Sequence, residues 1–179
     1  MWLTQDIILR FFFSKKIIEG KEFLDLLEGP LIIAPTHRSR WDGLILTYAI
    51  GRRVTKRDCR FMVTTPEMKG LQGWFLKRLG CFSINQESPS LFSLRYAVEL
   101  IFSKNQLVIF PEGKITKNYK KLKLKQGLFR LAKLARKKGE PIKILPIGIA
   151  YDNIKPKFRD RFAICIEKPF NLDDFSNSS

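Results

Sequence analysis

The sequence predicts a single α/β domain in which a mixed, largely parallel sheet is covered by helices on both faces. Three short, almost wholly apolar runs, at residues 31–34, 107–110 and 142–149, indicate buried strands. Helical patterns lie between these runs, and such alternation is typical of parallel sheets. With 179 residues, of which 45% are hydrophobic, the chain is long enough to bury one core.

The first 28 residues predict an amphipathic helical segment that is broken near Gly20. Its apolar surface is bordered by Arg10, Lys15 and Lys16, and aromatic residues with basic neighbours suit a helix that lies in a lipid headgroup layer. Packing of the same helix against its own domain explains the pattern equally well. The apolar residues are Trp2, Leu3, Ile7, Ile8, Phe11, Phe12, Phe13 and Ile17.

We expect the main domain at residues 29–170 and a polar tail at residues 171–179. Ser88-Pro89-Ser90 is a helix N-cap signal, whereas Gly139-Glu140-Pro141 ends a helix. The chain contains no internal repeat, low-complexity tract or linker. The expected strands are 31–34, 60–64, 81–84, 107–110, 142–149 and 161–167, and the expected helices are 43–50, 66–79, 88–103 and 126–138, with a basic loop at 51–60 and a turn at 104–106.

The chain is strongly basic, with 33 lysines and arginines against 17 aspartates and glutamates and a net charge of +16. This surplus indicates an anionic partner: nucleic acid, acidic lipid or an acidic substrate carrier. We do not expect nucleic acid, because zinc-ligand spacing, an arginine-rich arm and aromatic RNA-binding strands are all lacking. Residues 114–138 alone hold eleven lysines and arginines, which form a solvated surface or adhere to anionic lipid.

The three cysteines, Cys59, Cys81 and Cys165, are widely spaced, and no two form a Cys-x-x-Cys pair. This pattern favours reduced core thiols in a protein on the cytosolic side, without a metal site. No apolar run reaches the roughly 18 residues that indicate a membrane-spanning helix. Charged residues interrupt the N-terminus too early for a signal peptide. We therefore expect a peripheral or monotopic protein.

The only histidine, His37, follows the predicted strand 31–34, and Asp42 stands five residues later at the start of a predicted helix. Strand–helix junctions are the usual ligand sites of open α/β sheets. Residues five apart on one regular helix diverge by about 140°, so contact requires His37 on the loop and Asp42 in the first turn. Asp42 could then accept the Nδ1 proton and leave Nε2 to take a proton from a hydroxyl. A lone histidine satisfied by the backbone is the alternative.

A second turn, Pro111-Glu112-Gly113, ends the predicted strand 107–110. If the three apolar strands are parallel, the residues after their carboxyl ends share one edge of the sheet. We therefore expect this turn to approach the His37–Asp42 pair, although about seventy residues separate them in the chain. Taken alone, the turn is an ordinary strand ending.

At these blocks the chain resembles the glycerolipid acyltransferase superfamily, which contains glycerol-3-phosphate and 1-acylglycerol-3-phosphate acyltransferases. The family block His-x-x-x-x-Asp matches His37 and Asp42, and the block Phe-Pro-Glu-Gly matches residues 110–113. An apolar block around a proline matches residues 144–148, and a helix start containing Lys and Gly matches residues 125–132. The resemblance runs from about Leu24 to Phe170, and the order and spacing of the blocks make it specific.

The resemblance implies an O-acyltransferase of phospholipid biosynthesis at the cytoplasmic face of the membrane. His37 would be the general base and Asp42 its orienting partner. The acceptor, a glycerolipid precursor and first of all lysophosphatidate, would attack acyl-CoA or acyl-acyl-carrier-protein directly, without a cofactor or metal. The implied partners are the acyl thioester donor, the lipid acceptor, the anionic membrane surface and acyl carrier protein. The implied substrate-binding residues are Glu112, Gly113, Lys114, Thr116, Arg38 and Ser39.

Two positions depart from the family pattern. The second block, Gly-x-x-Phe-Ile-x-Arg, ends here at Gln86, and the arginine position of the Phe-Pro-Glu-Gly block is Ile115. Both arginines expected to hold an acceptor phosphate are therefore missing. Lys114 or Lys117 could substitute, although a lysine lacks the bidentate fork of arginine. An unphosphorylated acceptor, thioester hydrolysis and a non-catalytic, basic membrane-binding relative stay open as alternatives.

Overall fold

The strand and helix bounds come from a computed structural model that describes residues 2–103, 105–117 and 124–172, with side chains from Gln5 onward. The predicted turn residue at position 104, residues 118–123 of the basic segment and residues 173–179 of the tail lie outside this range. The elements are α1 (Trp2–Phe12), β1 (Lys15–Glu19), a 3-10 helix (Lys21–Leu26), β2 (Leu31–Pro35), α2 (Asp42–Ile50), α3 (Arg52–Thr55), β3 (Asp58–Thr64), a second 3-10 helix (Thr65–Met68), α4 (Gly70–Arg78), β4 (Cys81–Ile84), α5 (Leu91–Phe102), β5 (Asn105–Val108), α6 (Gly127–Arg136), β6 (Lys143–Tyr151), β7 (Arg161–Ile166) and β8 (Phe170–Asn171).

The strands of the described residues form one mixed sheet in the order β1-β7-β6-β2-β5-β3-β4, with β8 paired to the start of β6. Strands β2 to β6 all run parallel, with Ile33 opposite Val108 of β5 on one side and Leu145 of β6 on the other. Strand β7 runs antiparallel to β6, and β1 runs parallel to β7. The prediction of a mixed, largely parallel sheet is confirmed.

The core consists of two apolar clusters, one on each face of the sheet. Alternate residues of β2 face opposite ways, so Leu31 and Ile33 join one cluster and Ile32 joins the other. Helices α1 and α2 cover the first face, and α5 and α6 cover the second. The predicted helical cover on both faces is therefore confirmed. The helix residues that are buried include Leu9, Ile45, Leu46 and Ile50 on one side and Val98, Ile101, Leu128 and Leu131 on the other.

The prediction that residues 1–28 are helical is wrong at residues 15–19, whereas the chain is helical again after Gly20, in the 3-10 helix Lys21–Leu26. Lys15–Glu19 is a strand that pairs with β7, with Ile17 opposite Ala163. The β-branched pair Ile17-Ile18 suits a sheet edge, and flanking charges are typical of edge strands. The spacing of apolar residues at 15–19 fits a helix only by chance. Pairing with a strand far away in the chain cannot be detected from a local sequence pattern.

Smaller differences affect the ends of elements. The expected turn at 104–106 is wrong, since β5 begins at Asn105 and Gln106 is fully buried in it. The side-chain amide of Gln106 donates to the Ile50 carbonyl and to Thr55 Oγ1, both at 2.6 Å, and so holds the segment after α2. The basic loop contains the short helix α3, and helix 66–79 is divided at Gly70, whose φ is +56°. Strand β8 was not expected.

The strand order fixes where the ends of β2 and β5 lie. Because β2 to β6 are parallel, their carboxyl ends share one edge, which we call the active-site edge; their amino ends form the opposite edge. The chain leaves β2 for β3, skipping a position, and β5 later fills the gap. This arrangement makes the carboxyl end of β2 a topological switch point, the usual position of a ligand site.

Candidate active site

The His37 imidazole lies on the loop between β2 and α2 and contacts Asp42, the first residue of α2. The distance from His37 Nδ1 to Asp42 Oδ2 is 2.9 Å. The contact that the five-residue spacing predicted is confirmed. Since a carboxylate only accepts hydrogen bonds, Asp42 holds the proton on Nδ1 and presents Nε2 as the acceptor nitrogen of the neutral ring.

Asp42 is completely buried, and its carboxylate is held from several directions. Oδ2 also accepts hydrogen bonds from the backbone N–H groups of Arg38 at 2.7 Å and Ser39 at 2.9 Å. The Tyr151 hydroxyl donates to Oδ1 at 2.5 Å. The carboxylate also stands at the N-terminus of α2, where the helix dipole favours negative charge. All these interactions stabilise a buried anion and fix its orientation.

The His37 ring is packed on one face and open at one edge. Phe110 stacks on it with ring centroids 4.0 Å apart and planes inclined by 24°. The side chain is 21% exposed, and its Nε2 makes no hydrogen bond to any residue within the described ranges. The ring is therefore held by Phe110 and Asp42, and one of its edges is open.

Glu112 joins the His37 loop to the turn after β5. Its Oε1 accepts from the His37 backbone N–H at 2.9 Å. Arg38 Nη1 lies 2.8 Å from Oε1 and 2.9 Å from Oε2, and both side chains are buried. The Thr116 N–H also donates to the His37 carbonyl at 2.8 Å. The predicted approach of the Pro-Glu-Gly turn to the His37–Asp42 pair is thus confirmed.

Gly113 is required by the shape of this turn. Its φ of +68° lies in the left-handed region, and a Cβ at this position would stand 2.8 Å from the Lys125 side chain. The Gly113 N–H donates to the Phe110 carbonyl at 3.0 Å, which closes the turn. A larger residue would strain the backbone and displace Lys125.

At the exposed side of the Gly113 turn, uncharged Gln86 stands at a position where the family pattern has an arginine, and the cation Lys125 lies beside it. Gln86 donates to the Gly113 carbonyl at 3.4 Å and accepts a hydrogen bond from Lys125 Nζ at 2.6 Å. The Lys125 backbone N–H donates to the Pro111 carbonyl at 2.8 Å, which ties the residue to the turn. Ile115, the other substituted position, is half-buried. We call Gln86 and Lys125 the mouth pair.

The other predicted binding residues divide into two groups. Lys114 is exposed and Thr116 half-buried beside His37, so both stand at the open side. Arg38 and Ser39 are buried and engaged within the protein, Arg38 with Glu112 and Ser39 by accepting from the Trp41 N–H at 3.3 Å. Direct substrate contact by Arg38, Ser39 and Glu112 stays a prediction, whereas their contacts in the structure build the site.

Three contributors were not singled out from the sequence. The stacking of Phe110 could have been suspected, because this residue belongs to the same family block as Glu112. Lys125 also belongs to a matched block, but its contact with Gln86 joins two segments that are 39 residues apart in the chain. Tyr151 had no local signal: β6 continues past the end of β2, where Pro35 stands opposite Ile147, and so brings the hydroxyl to Asp42.

The cysteine thiols do not contribute a nucleophile. Burial raises the pKa of Cys59 and of Cys81 to about 12, and the Glu167 carboxylate beside the exposed Cys165 raises the pKa of that thiol as well. All three are therefore protonated near neutral pH. Because the thiolate is the reactive form, a covalent acyl-cysteine step is disfavoured.

Comparison with known proteins identifies relatives of the chain. A sequence profile described as "Acyltransferase" matches residues 15–150. A 1-acyl-sn-glycerol-3-phosphate acyltransferase of Streptococcus pneumoniae is 27% identical over 123 residues, which cover 67% of this chain and 41% of the relative. A glycerol-3-phosphate acyltransferase of Alteromonas mediterranea is 30% identical over 134 residues, covering 69% of this chain and 16% of the relative. The chain thus spans less than half the length of these two relatives.

Among solved structures, the crystal structure of the 1-acyl-sn-glycerophosphate (LPA) acyltransferase PlsC from Thermotoga maritima has the same fold. The TM-score is 0.64 at 19% sequence identity, and the match covers 96% of this chain and 68% of that one. This likeness supports the predicted fold class.

Proposed function

The chain belongs to the acyltransferase family, and we propose that it moves a fatty acyl group from an acyl thioester to a hydroxyl of a glycerolipid precursor, with lysophosphatidate as the first acceptor to test. The observation that carries this proposal is the 2.9 Å contact between His37 Nδ1 and the buried Asp42 carboxylate. That contact leaves Nε2 as a positioned base. The relatives' names supply the substrate class.

In the proposed reaction, His37 Nε2 removes the proton from the acceptor hydroxyl as its oxygen attacks the thioester carbonyl. The imidazolium that forms lies against the Asp42 carboxylate, whose negative charge stabilises it. The tetrahedral intermediate carries an oxyanion and collapses by breaking the carbon–sulfur bond. The departing thiolate takes the proton from Nε2, so the products are an ester, a free thiol and neutral His37.

The turn after β5 is the proposed source of oxyanion donors. The Gly113 N–H is already bonded to the Phe110 carbonyl. The next N–H groups, those of Lys114 and Ile115, make no hydrogen bond within the described part of the chain. They stand beside His37, because Thr116 is bonded to the His37 carbonyl. Preorganised N–H groups at this position would favour the charged intermediate.

The mouth pair provides the proposed contact to an acceptor phosphate. Lys125 Nζ is held beside the Gly113 turn by Gln86 and supplies a point charge near the position that an arginine occupies in the family pattern. Lysine binds phosphate without the planar fork, so it tolerates more than one phosphate orientation. We propose a phosphorylated acceptor on this ground and expect weaker discrimination than two arginines would give.

The proposal extends to place and partners. Within the described residues no helix has both the length and the apolarity needed to cross a membrane. We propose that the protein works as a peripheral or monotopic protein at the cytoplasmic face of an anionic membrane and takes its acyl group from acyl-CoA or acyl carrier protein. The net charge of +16 suits both the acidic donors and the lipid surface.

The test is a two-donor acceptor screen with purified protein. One radiolabelled acyl chain is offered as its CoA or its carrier-protein thioester, with lysophosphatidate, glycerol 3-phosphate or monoacylglycerol as acceptor. Released thiol and labelled ester are measured together. We expect both in equal amounts with lysophosphatidate, and neither with His37→Ala, since positioned base catalysis contributes about 10²–10⁴-fold.

The same screen separates the alternatives. Thiol release without ester identifies hydrolysis by water, and ester formed only on monoacylglycerol identifies an unphosphorylated acceptor. If the folded protein releases no thiol with any donor or acceptor, the enzymatic proposal is wrong. The matched control is Val54→Ala on α3 at the opposite edge, which should retain full activity.

A further inference from the structure

Large apolar side chains stand exposed around the active-site edge. Leu71 follows the end of β3, Leu91 and Phe92 follow β4, and Ile154 and Phe158 follow β6. Their exposed fractions are 89% for Leu71, 74% for Leu91, 80% for Phe92, 58% for Ile154 and 56% for Phe158. Such clustering at one edge is unusual for a surface that faces only water.

Specific contacts hold part of this apolar surface in place. Phe11 of α1 is 70% exposed, and its ring centroid lies 5.2 Å from that of Phe158. The two segments are tied by backbone hydrogen bonds, from the Arg159 N–H to the Phe12 carbonyl at 2.7 Å and from the Ser14 N–H to the Asp160 carbonyl at 2.9 Å. Because β1 runs antiparallel to β6, the end of α1 lies at the active-site edge as well.

Exposed cations share these loops with the apolar residues. Lys69 lies two residues before Leu71, and Lys155 and Lys157 lie between Ile154 and Phe158 in the loop after β6. Arg40 and Lys117 add positive charge beside His37. Aromatic and aliphatic tips interleaved with lysine and arginine fit a layer of lipid headgroups, because the tips enter the apolar boundary while the cations pair with phosphate.

We propose that the active-site edge is a docking face for an anionic lipid bilayer, with α1 as only one part of it. The face is made of the ends of α1 and of the loops that follow β3, β4 and β6. Because this face surrounds the His37 loop, docking would place His37 Nε2 next to the lipid headgroup layer. This proposal rests on the proposed function, since it takes the acceptor to be a membrane lipid.

The experiment is co-sedimentation with vesicles of phosphatidylcholine alone and of phosphatidylcholine mixed with phosphatidylglycerol. The apolar test variant is Leu91→Ser with Phe92→Ser, and its control is Leu26→Ser with Val54→Ser, two apolar positions at the opposite edge that are each 47% exposed. We expect the test variant to lose at least about tenfold in partition to mixed vesicles, and the control to match the parent.

The charge test uses Lys155→Gln with Lys157→Gln, and Lys21→Gln with Lys168→Gln as the control. One cation near an anionic surface raises partition onto that surface about fivefold. Partition of the test variant onto mixed vesicles should therefore fall about 25-fold, and its partition onto phosphatidylcholine vesicles should not change. Equal losses in the test and control variants, or no binding by the parent, would overturn the docking face. A dimeric parent that Leu91→Ser with Phe92→Ser makes monomeric, with vesicle binding unchanged, would reassign the surface to a second copy of the chain.

A soluble assay keeps this proposal distinct from the proposed function. Turnover of a short-chain lysophosphatidate without vesicles should be the same in the parent and in the four double variants. If the parent shows turnover but no vesicle binding, the proposed enzymatic function stands and the proposed docking face is wrong. If the parent binds vesicles but shows no turnover, the proposed docking face stands and the proposed enzymatic function is wrong.

Discussion

The His37–Asp42 pair and the mouth pair are both tied to the turn after β5 and are built in opposite ways. Asp42 is fully buried and receives hydrogen bonds from two backbone N–H groups, a tyrosine hydroxyl and the histidine. Gln86 and Lys125 are exposed and joined by one side-chain hydrogen bond. The proposed base is thus fixed by the fold, whereas the charge proposed to bind the acceptor is held by one contact between exposed side chains.

The largest expected effect comes from removing the charge of the inner pair. Asp42→Asn places an amide where the carboxylate accepts four hydrogen bonds, so the tautomer and orientation of His37 are lost and the imidazolium is no longer stabilised. We expect kcat to fall by about 10²–10⁴-fold in the thiol-release assay. Circular dichroism and the melting temperature must show a folded variant. Retention of more than a tenth of the parent kcat would contradict the orienting role.

A smaller effect is expected from the hydroxyl that supports Asp42 from β6. Tyr151→Phe removes one hydrogen bond to a charged group, and such bonds contribute about 1.5–3 kcal/mol. We expect kcat to fall by about tenfold or more, with KM nearly constant, because the change acts through Asp42. Tyr48→Phe on α2, whose ring lies 4.5 Å from Lys16 Nζ, is the matched control and should keep the parent kcat. A rise in KM alone would assign Tyr151 to substrate binding instead.

The mouth pair should affect the acceptor more than the chemistry. For Lys125→Ala we expect about a fivefold rise in KM for lysophosphatidate and little change in kcat, since an exposed charge pair contributes at most about 1 kcal/mol. Steady-state kinetics with monoacylglycerol, which has no phosphate, should show no such rise. Lys133→Ala on α6 is the control, and Gln86→Arg should lower the KM for the phosphorylated acceptor. Equal changes with both acceptors would mean that Lys125 has a purely structural role.

The smallest effect concerns a charge pair remote from both regions. Arg52 hydrogen-bonds to Asp58 at 2.7 and 2.5 Å near the opposite edge, and this bond lowers the Asp58 pKa below its ordinary value of 3.8. A lowered carboxylate pKa stabilises the fold above that ordinary value, and the stabilisation is lost as acid protonates the group. Arg52→Ala should melt slightly below the parent at neutral pH, and the difference should disappear in acid. Calorimetry measures this, and a difference that grows in acid would contradict the assignment.

Local patterns predicted the parts of the molecule that local chemistry determines. The apolar runs around Ile33, Val108 and Leu145 fixed the central strands, and the parallel arrangement then brought Glu112 to His37. The strand at residues 15–19 could not be predicted, because its partner lies near residue 163 and its own pattern suits a helix equally well. Tyr151 and Lys125 were missed for a similar reason: each reaches the site through a pairing register or a loop closure over a long stretch of chain.

The position of β5 between β2 and β3 has a consequence for how the protein folds. During synthesis β2 and β3 emerge first, yet they cannot pair correctly until the strand that separates them has been made. Strand β3 can pair early with β4, whereas both neighbours of β2, namely β5 and β6, are made late, and 75 residues must be closed before the His37 loop meets Glu112. Contacts of such long range slow folding. The insertion of β5 between β2 and β3 therefore completes both the central sheet and the contact between the His37 loop and Glu112.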